Sequence, residues 1–382
     1  MNGPGVVSRQ PGGLLAQPTS PGPRVAVARP DYSQAPQVVF WEVTRACALK
    51  CLHCRAQAQP RRHPDELTTE EGCRLLEALA SFDPAPIVIL TGGDPFLRRD
   101  LFQLLSYAMG LGLRVSLSPS ATKLVTREAL HQLRTLGISR LSLSLDGSTA
   151  AIHDAFRGVP GSFQRTQECI ADALDVGLGL QVNTTVSRYN REDLPAIAQR
   201  LATFPKMALW DLFFLVPTGR AQRADVISAE AHEEVYGWLY SLRPELPFQI
   251  KTTLGQSYRR VVLQRDLKAG NDLQESRAAV VRTATNDGKG VCFISHLGTV
   301  YPSGFLPVPC GDVRRQSITD VYRHSPVFQA LRDPERLKGK CGHCPFRDVC
   351  GGCRARAYAY TGDYLEAEPC CIFEPSPPSL GL

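Results

Sequence analysis

Residues 41–55 read Trp41-Glu42-Val43-Thr44-Arg45-Ala46-Cys47-Ala48-Leu49-Lys50-Cys51-Leu52-His53-Cys54-Arg55, and the reading of this stretch decides the fold. The apolar run just before it, residues 38–41, has the character of a strand. The three cysteines, spaced C-x3-C-x2-C, therefore ride on the loop that leaves that strand. Thiolates on one short loop can converge on a single metal centre. A structural zinc, or an iron–sulfur cluster fully held by protein, takes four ligands. Three local thiolates leave one iron of a [4Fe–4S] cube without a protein ligand and open to a small molecule. Two plainer readings stand beside this one: a zinc site completed by His53 or His63, and packed thiols with no metal.

The chain has 382 residues, 43% hydrophobic and 21% charged, with a formal net charge of +6. That length allows two or three domains and a large core. The basic residues are scattered and form no concentrated stripe, so a nucleic-acid surface is not expected. The cysteines number 13, an odd count grouped at metal-type spacing. No stretch resembles a secretory signal or a membrane span. Reduced thiols and a cytoplasmic location are expected. Residues 1–36 hold 7 prolines and 5 glycines and no acid before Asp31, the composition of a disordered tail; 376–382 is a second short tail.

From residue 38 an apolar strand followed by a helical pattern recurs six times. Strands are expected at 38–42, 87–90, 114–118, 140–145, 180–186 and 210–216. Helices are expected at 69–81, 99–110, 126–136, 163–176 and 191–203. Such alternation implies a parallel sheet with crossover helices. An eight-unit barrel takes about 250 residues, so six units need roughly 190. The six here occupy 38–216, which is 179 residues. The expected fold class is α/β: a partial (β/α)6 barrel of the TIM type, residues 37–216, then a mainly helical bridge, 217–290. Cys73 and Cys169 fall inside helices without partners and read as small buried hydrophobes.

The C-x3-C-x2-C loop after the first strand resembles the signature of the radical S-adenosylmethionine (SAM) enzymes, whose fold is that partial barrel. His53 stands where an aromatic residue is usual. Thr91-Gly92-Gly93-Asp94-Pro95, after the second strand, resembles the family's Gly-Gly-Glu-Pro motif, with Asp94 for Glu. The resemblance implies that Cys47, Cys51 and Cys54 hold a [4Fe–4S] cluster whose open iron binds SAM. One electron then releases a 5'-deoxyadenosyl radical that abstracts a substrate hydrogen. It further implies that His53, Gly92, Gly93, Asp94 and Pro95 border SAM, and that Ser144, Arg157 and Asn183 hold its carboxylate and ribose. Plainer roles for those three are strand-end capping and surface ion pairing. Many relatives have Asn-Gly after the third strand; here the loop is Ser118-Pro119-Ser120-Ala121-Thr122.

Cysteines return at Cys292, Cys310, Cys341, Cys344, Cys350, Cys353, Cys370 and Cys371. A zinc ribbon pairs C-x2-C knuckles that lie about 12–20 residues apart, whereas only five residues separate Cys344 from Cys350. Residues 291–375 resemble the SPASM extension, a small cysteine-rich iron–sulfur domain. By that resemblance Cys341, Cys344, Cys350 and Cys371 ligate an auxiliary [4Fe–4S] cluster. Cys371 is preferred to Cys370 because Ile372-Phe373-Glu374-Pro375 follows it. Cys292, Cys310 and Cys353 match three ligands of a second cluster, for which no fourth cysteine is found.

Phe293-Ile294-Ser295-His296, Tyr301-Pro302-Ser303-Gly304-Phe305-Leu306 and Tyr360-Thr361-Gly362-Asp363-Tyr364 resemble the haem-biosynthesis branch, that of the haem b synthases. Ser303 stands where that branch tends to carry cysteine. The resemblance implies an oxidoreductase that decarboxylates the propionates of a tetrapyrrole, with Arg220, Arg259 and Arg260 of the bridge facing its carboxylates. A reducing partner such as flavodoxin or ferredoxin is implied, and no membrane partner. Two other readings remain: a maturase acting on a ribosomal peptide, and a non-catalytic iron–sulfur protein that carries electrons.

Overall fold

The computed structural model describes residues 31–282 and 284–375, together with Met1. Six strands pair in sequential parallel order: β1 (Val38–Thr44), β2 (Ile87–Gly92), β3 (Arg114–Leu117), β4 (Arg140–Ser144), β5 (Leu180–Val186) and β6 (Leu209–Phe214). All six expected strands are present. Helices α1 (Thr69–Ala80), α2 (Leu101–Gly110), α3 (Arg127–Thr135), α4 (Ala150–Arg157), α5 (Ser162–Val176) and α6 (Leu194–Ala202) make the crossovers. The architecture is the expected partial barrel.

Local chemistry explains the element ends. Thr68 caps α1, accepting from Glu71 N–H while the Glu71 carboxylate accepts from the Thr68 N–H, a reciprocal box that satisfies two otherwise orphaned donors. Alternation along β1 sends Val39, Trp41 and Val43 outward to the helices. Trp41 packs so closely on α1 that a Cβ at Gly72 would lie 2.8 Å from its ring. Phe40 and Glu42 therefore face the barrel interior.

The strand pattern missed α4, an eight-residue helix between β4 and α5. Thr149 caps its start, accepting from Ile152 N–H, and Gly158 ends it at φ +69°. The bridge also holds more than helices. Besides α7 (Ala229–Leu242), α8 (Ser257–Lys268) and α9 (Leu273–Arg282) it contributes β7 (Gln249–Thr253), a seventh parallel strand paired with β6. Gln-Ile-Lys-Thr-Thr is short and carries one aliphatic residue, so its apolar signal is weak.

The cysteine-rich segment continues the same sheet. β8 (Val291–Ile294) pairs in parallel with β1, and β9 (Thr299–Tyr301) and β10 (Gly311–Asp312) follow in antiparallel order. The ten-stranded order is β10-β9-β8-β1-β2-β3-β4-β5-β6-β7. A boundary drawn at residue 291 thus falls inside one continuous sheet. Helices α10 (Ile318–His324), α11 (Pro326–Arg332), α12 (Gly339–Gly342) and α13 (Arg354–Thr361) complete the segment. The expected tails lie outside the described residues except for Met1 and 31–36, of which Tyr32, Ala35 and Pro36 are buried. The Tyr322 hydroxyl of α10 donates to Tyr32 O at 2.8 Å, and Ala35 joins the core. Among the described residues no helix is long and apolar enough to cross a membrane.

One buried ion pair ties α13 to the barrel. Arg356, 1% exposed, meets the Glu368 carboxylate at 3.2 Å. Its remaining N–H groups donate to Phe214 O, Leu215 O and Leu254 O, at the ends of β6 and β7. Glu368 in turn accepts from the N–H groups of Cys353 and Cys370. Breaking one side of such a pair leaves a bare buried charge and costs about 3–5 kcal/mol. Arg356→Met should lower the unfolding free energy by roughly that amount in anaerobic chemical denaturation. A loss below about 1 kcal/mol, the worth of a surface pair, would count against this anchoring role.

Candidate functional site

The cysteine loop leaves β1 at Thr44 and is gripped by backbone from three sides. From β2, Gly93 N–H and Asp94 N–H donate to Thr44 O and Ala46 O at 2.8 and 2.7 Å. A Cβ on Gly92 would stand 2.2 Å from Thr44 O, and one on Gly93 2.3 Å from Ala46 O. Close packing on the cysteine loop thus by itself requires both glycines. At the end of α4, Lys50 N–H and Leu52 N–H donate to Arg157 O and Phe156 O, and a Cβ on Gly158 would lie 2.6 Å from Lys50 O. After β6, Arg220 N–H donates to Cys54 O, which a Cβ on Gly219 would approach to 2.4 Å.

The thiols are set in this frame. Cys47 Sγ accepts from Leu49 N–H at 3.3 Å and lies 3.5 Å from Ser120 Oγ. Cys54 Sγ accepts from Ala58 N–H at 3.3 Å, and Cys51 Sγ from Arg157 Nη1 at 3.6 Å. Burial pushes the Cys47 thiol up, against hydrogen bonds from Ser120 and Leu49 N–H that pull it down. The unusual loop after β3 belongs here as well. Ser120 Oγ donates to Gly93 O, and Thr122 Oγ1 donates to Asp94 Oδ2 at 2.8 Å. Asp94 is wholly buried; burial pushes its carboxyl up to about 6, against hydrogen bonds from Thr122 and Phe96 N–H that pull it down. Pro95 opens the short 3-10 turn that Asp94 caps.

Arg157 does not stand free for a ligand carboxylate. Its Nη2 pairs with the buried Asp146 carboxylate at 2.6 Å while Nη1 reaches Cys51. Burial alone would lower the Arg157 pKa, but Asp146 and the two nearby cysteines hold it above its ordinary value. The Asp146 turn is fixed by His153, whose Nδ1 accepts from Asp146 N–H at 3.1 Å; burial, reinforced by Arg157, keeps that ring neutral with a pKa near 3. His53 stacks on Phe156 at 4.3 Å, and burial, with Arg157 and Arg220 beside it, holds it well below its usual pKa.

Ser144 and Asn183 are half-buried register partners on adjacent strands, and Asn183 Oδ1 accepts from Gln181 Nε2 at 2.7 Å. The bridge arginines divide. Arg259 donates to Val349 O and Thr285 O, and Arg260 to the Glu233 carboxylate. Both are engaged in holding the bridge to its neighbours, which corrects their assignment to substrate carboxylates. Arg220 differs: its Nε and Nη2 are buried with no hydrogen-bond partner.

The barrel interior carries groups that the strand pattern did not single out. Glu42 forms an ion pair with Arg55 at 2.9 Å and faces His296 Nδ1 at 2.7 Å. Burial would raise its pKa, yet Arg55 and His296 outweigh that and hold it below its ordinary value. The Arg55 guanidinium lies 4.6 Å from the Phe293 ring and 5.9 Å from the Phe305 ring, and Phe305 meets Phe213 of β6 at 6.5 Å. Asp211 is buried beneath Lys251 at 3.0 Å and Thr253 at 2.9 Å. An acid inside the apolar run Val-Val-Phe-Trp-Glu-Val was a visible signal for Glu42.

In the C-terminal segment Cys341, Cys344, Cys350 and Cys371 line one cavity, together with Arg260 and Glu368. Among the described residues no three His, Cys, Asp or Glu side chains converge tightly enough to hold a single metal ion. Thiols that ring a cavity suit a larger polynuclear body, so the residues present fit an iron–sulfur cluster. Cys370 is turned away, buried near Arg356 and Glu368. The other three are divided between two apolar clusters. Cys292 belongs to the main core and Cys310 packs against it. Cys353 belongs to a second apolar cluster, where its sulfur accepts from Arg356 N–H at the start of α13. Cys169 is fully buried, as expected, whereas Cys73 is only partly so.

Comparison with known proteins agrees with this geometry. The radical SAM superfamily matches residues 41–201, and an iron–sulfur cluster-binding domain, SPASM, matches residues 286–345. The AdoMet-dependent heme synthase of Oleidesulfovibrio alaskensis is 41% identical over 352 residues, 90% of this chain and 89% of that protein. The AdoMet-dependent heme synthase of Methanosarcina barkeri is 41% identical over 345 residues, 90% and 98%. The crystal structure of Streptococcus suis SuiB bound to precursor peptide SuiA superposes with a TM-score of 0.69 at 15% identity, covering 89% of this chain and 76% of that one. At that identity the likeness shows the fold.

The grip on the cysteine loop can be tested at Gly158. An alanine there takes the left-handed conformation at a cost of about 1–2 kcal/mol and drives its Cβ into Lys50 O. Gly158→Ala should reduce the iron retained at the N-terminal thiols, with the cluster signal read by electron paramagnetic resonance (EPR). Full iron content with an unchanged spectrum would show that the α4 contact is dispensable.

Proposed function

Because the chain belongs to the radical SAM superfamily of enzymes, we propose that it oxidatively decarboxylates propionate side chains of an iron-coproporphyrin-type tetrapyrrole. The observation that carries this reading is the interior wall of Phe213, Phe293 and Phe305 with the Arg55 guanidinium laid across two of its rings. A flat aromatic macrocycle matches such a wall, since rings stack on rings and on the plane of a guanidinium. The two relatives above are named heme synthases, and the chain aligns with each along most of its length.

Each propionate loses one hydrogen atom from its β-carbon, then carbon dioxide and one electron, leaving a vinyl group. When bound, the cluster and SAM at Cys47, Cys51 and Cys54 supply the hydrogen-abstracting radical, and an auxiliary cluster at Cys341, Cys344, Cys350 and Cys371 supplies an electron acceptor. The chain's own residues position and shield. Gly92, Gly93, Asp94 and the Ser120–Thr122 contacts fix the rim of the open site. Arg157 neutralises Asp146 and steadies Cys51. Arg220, with two buried nitrogens unpartnered, is assigned to the carboxylate of SAM. A reduced flavodoxin or ferredoxin in the cytoplasm serves as donor.

Reconstituted, reduced protein given SAM and iron-coproporphyrin should release carbon dioxide and 5'-deoxyadenosine. SAM cleavage without any tetrapyrrole turnover would move the assignment to a peptide substrate. Replacing Cys47, Cys51 and Cys54 together by Ala should abolish cleavage yet leave about four irons per chain, those of one auxiliary cube. Zinc in place of that iron would refute the auxiliary cluster. Arg220→Met should weaken SAM binding roughly tenfold or more, as for a lost charge-assisted hydrogen bond. Unchanged SAM affinity, measured by equilibrium dialysis, would return the carboxylate to another residue.

A further inference from the structure

The Glu42–His296 pair is not used by the chemistry above. His296 follows β8 and is 5% exposed; its Nδ1 lies 2.7 Å from Glu42 Oε1. Glu42 is an ionised acceptor, held so by Arg55 on its other oxygen. Nδ1 must therefore carry the proton of that hydrogen bond, and in the neutral ring Nε2 is then the lone-pair nitrogen. Nε2 is buried and has no hydrogen-bond partner. Its neighbour is His63, whose ring packs edge-on at 5.6 Å and whose side chain is 36% exposed, on the loop between the cysteines and α1. Arg55 joins this pair to the aromatic wall, since one guanidinium touches Glu42, Phe293 and Phe305.

An imidazole whose Nδ1–H is held by a carboxylate and whose Nε2 lone pair is unused is the arrangement of a metal-ligating histidine. The carboxylate sets the tautomer, fixes the ring and raises its basicity. We propose that His296 is the axial ligand to the iron of the tetrapyrrole substrate, with Glu42 as its positioning residue. This rests on the tetrapyrrole reading and adds to it the recognition of the metallated macrocycle. Iron binds by coordination alone, so no electron or proton changes hands in this step.

The test uses the full reconstituted chain with ferric iron-coproporphyrin and, separately, metal-free coproporphyrin. Wild-type protein grown with 15N-histidine should show hyperfine coupling from one imidazole nitrogen at the ferric iron. His296→Ala should lose that coupling and the associated Soret shift. Its affinity for the iron form should fall roughly tenfold or more, while its affinity for the metal-free form stays level. Free imidazole should restore the spectrum. Glu42→Gln should keep the coupling but weaken iron-porphyrin binding. Wild-type binding of both porphyrins without nitrogen coupling would overturn the ligand while leaving the tetrapyrrole reading standing. Coupling lost in His63→Gln but kept in His296→Ala would also overturn it. Binding of neither porphyrin by the wild type would overturn both.

Discussion

Backbone approaching backbone around the cysteine loop is the constraint on which the rest of the site depends. Four glycines, Gly92, Gly93, Gly158 and Gly219, come within van der Waals reach of the carbonyls of Thr44, Ala46, Lys50 and Cys54. No side chain fits between these segments. The loop that carries the three thiols is thereby held by β2, by the end of α4 and by the start of the bridge. Three thiolates at fixed positions are what a cluster with an open iron requires. The hydrogen bonds that cross these seams satisfy loop N–H and C=O groups that burial would otherwise leave costly.

Around that frame the interior is rich in charge, and several buried charges are paired. Asp146 answers Arg157, Glu368 answers Arg356, Glu42 answers Arg55, and Lys251 answers Asp211. Buried pairs are weak evidence for stability, because the cost of removing both ions from water offsets their attraction. Their value here is positional. Arg356 binds the ends of β6 and β7 to the segment that holds Cys341, Cys350 and Cys371. Arg55 joins the cysteine loop to β8. Through these two arginines the two cysteine-bearing regions are held as parts of one sheet-centred body. Arg220 differs from these: its Nε and Nη2 are buried and unpartnered beside the thiol loop, where an anionic ligand is proposed.

Some of this was open to reading from the chain alone. The six barrel strands, each strongly apolar or alternating, were legible to within two residues. So were the cysteine groups and the Gly-Gly turn, because local spacing encodes them. Strand β7 was not, since a five-residue polar stretch becomes a strand only by pairing with β6. Helix α4 was passed over because its polar residues drew the reading toward ligand binding.

What the sequence by itself determined was the class of chemistry: C-x3-C-x2-C on a strand-end loop, a second cysteine group downstream, and the α/β order between them. These are local patterns, set by side-chain type and by spacing along a few turns of chain. What only the tertiary structure decided was which groups are free and which are spoken for. Arg157 and Arg220 look alike in sequence, yet one is bonded to Asp146, 11 positions earlier in the chain, and the other is left unpartnered. Glu42 and His296 are 254 positions apart and meet because β8 pairs with β1. Partnership of that kind depends on distance in space, which no spacing along the chain encodes.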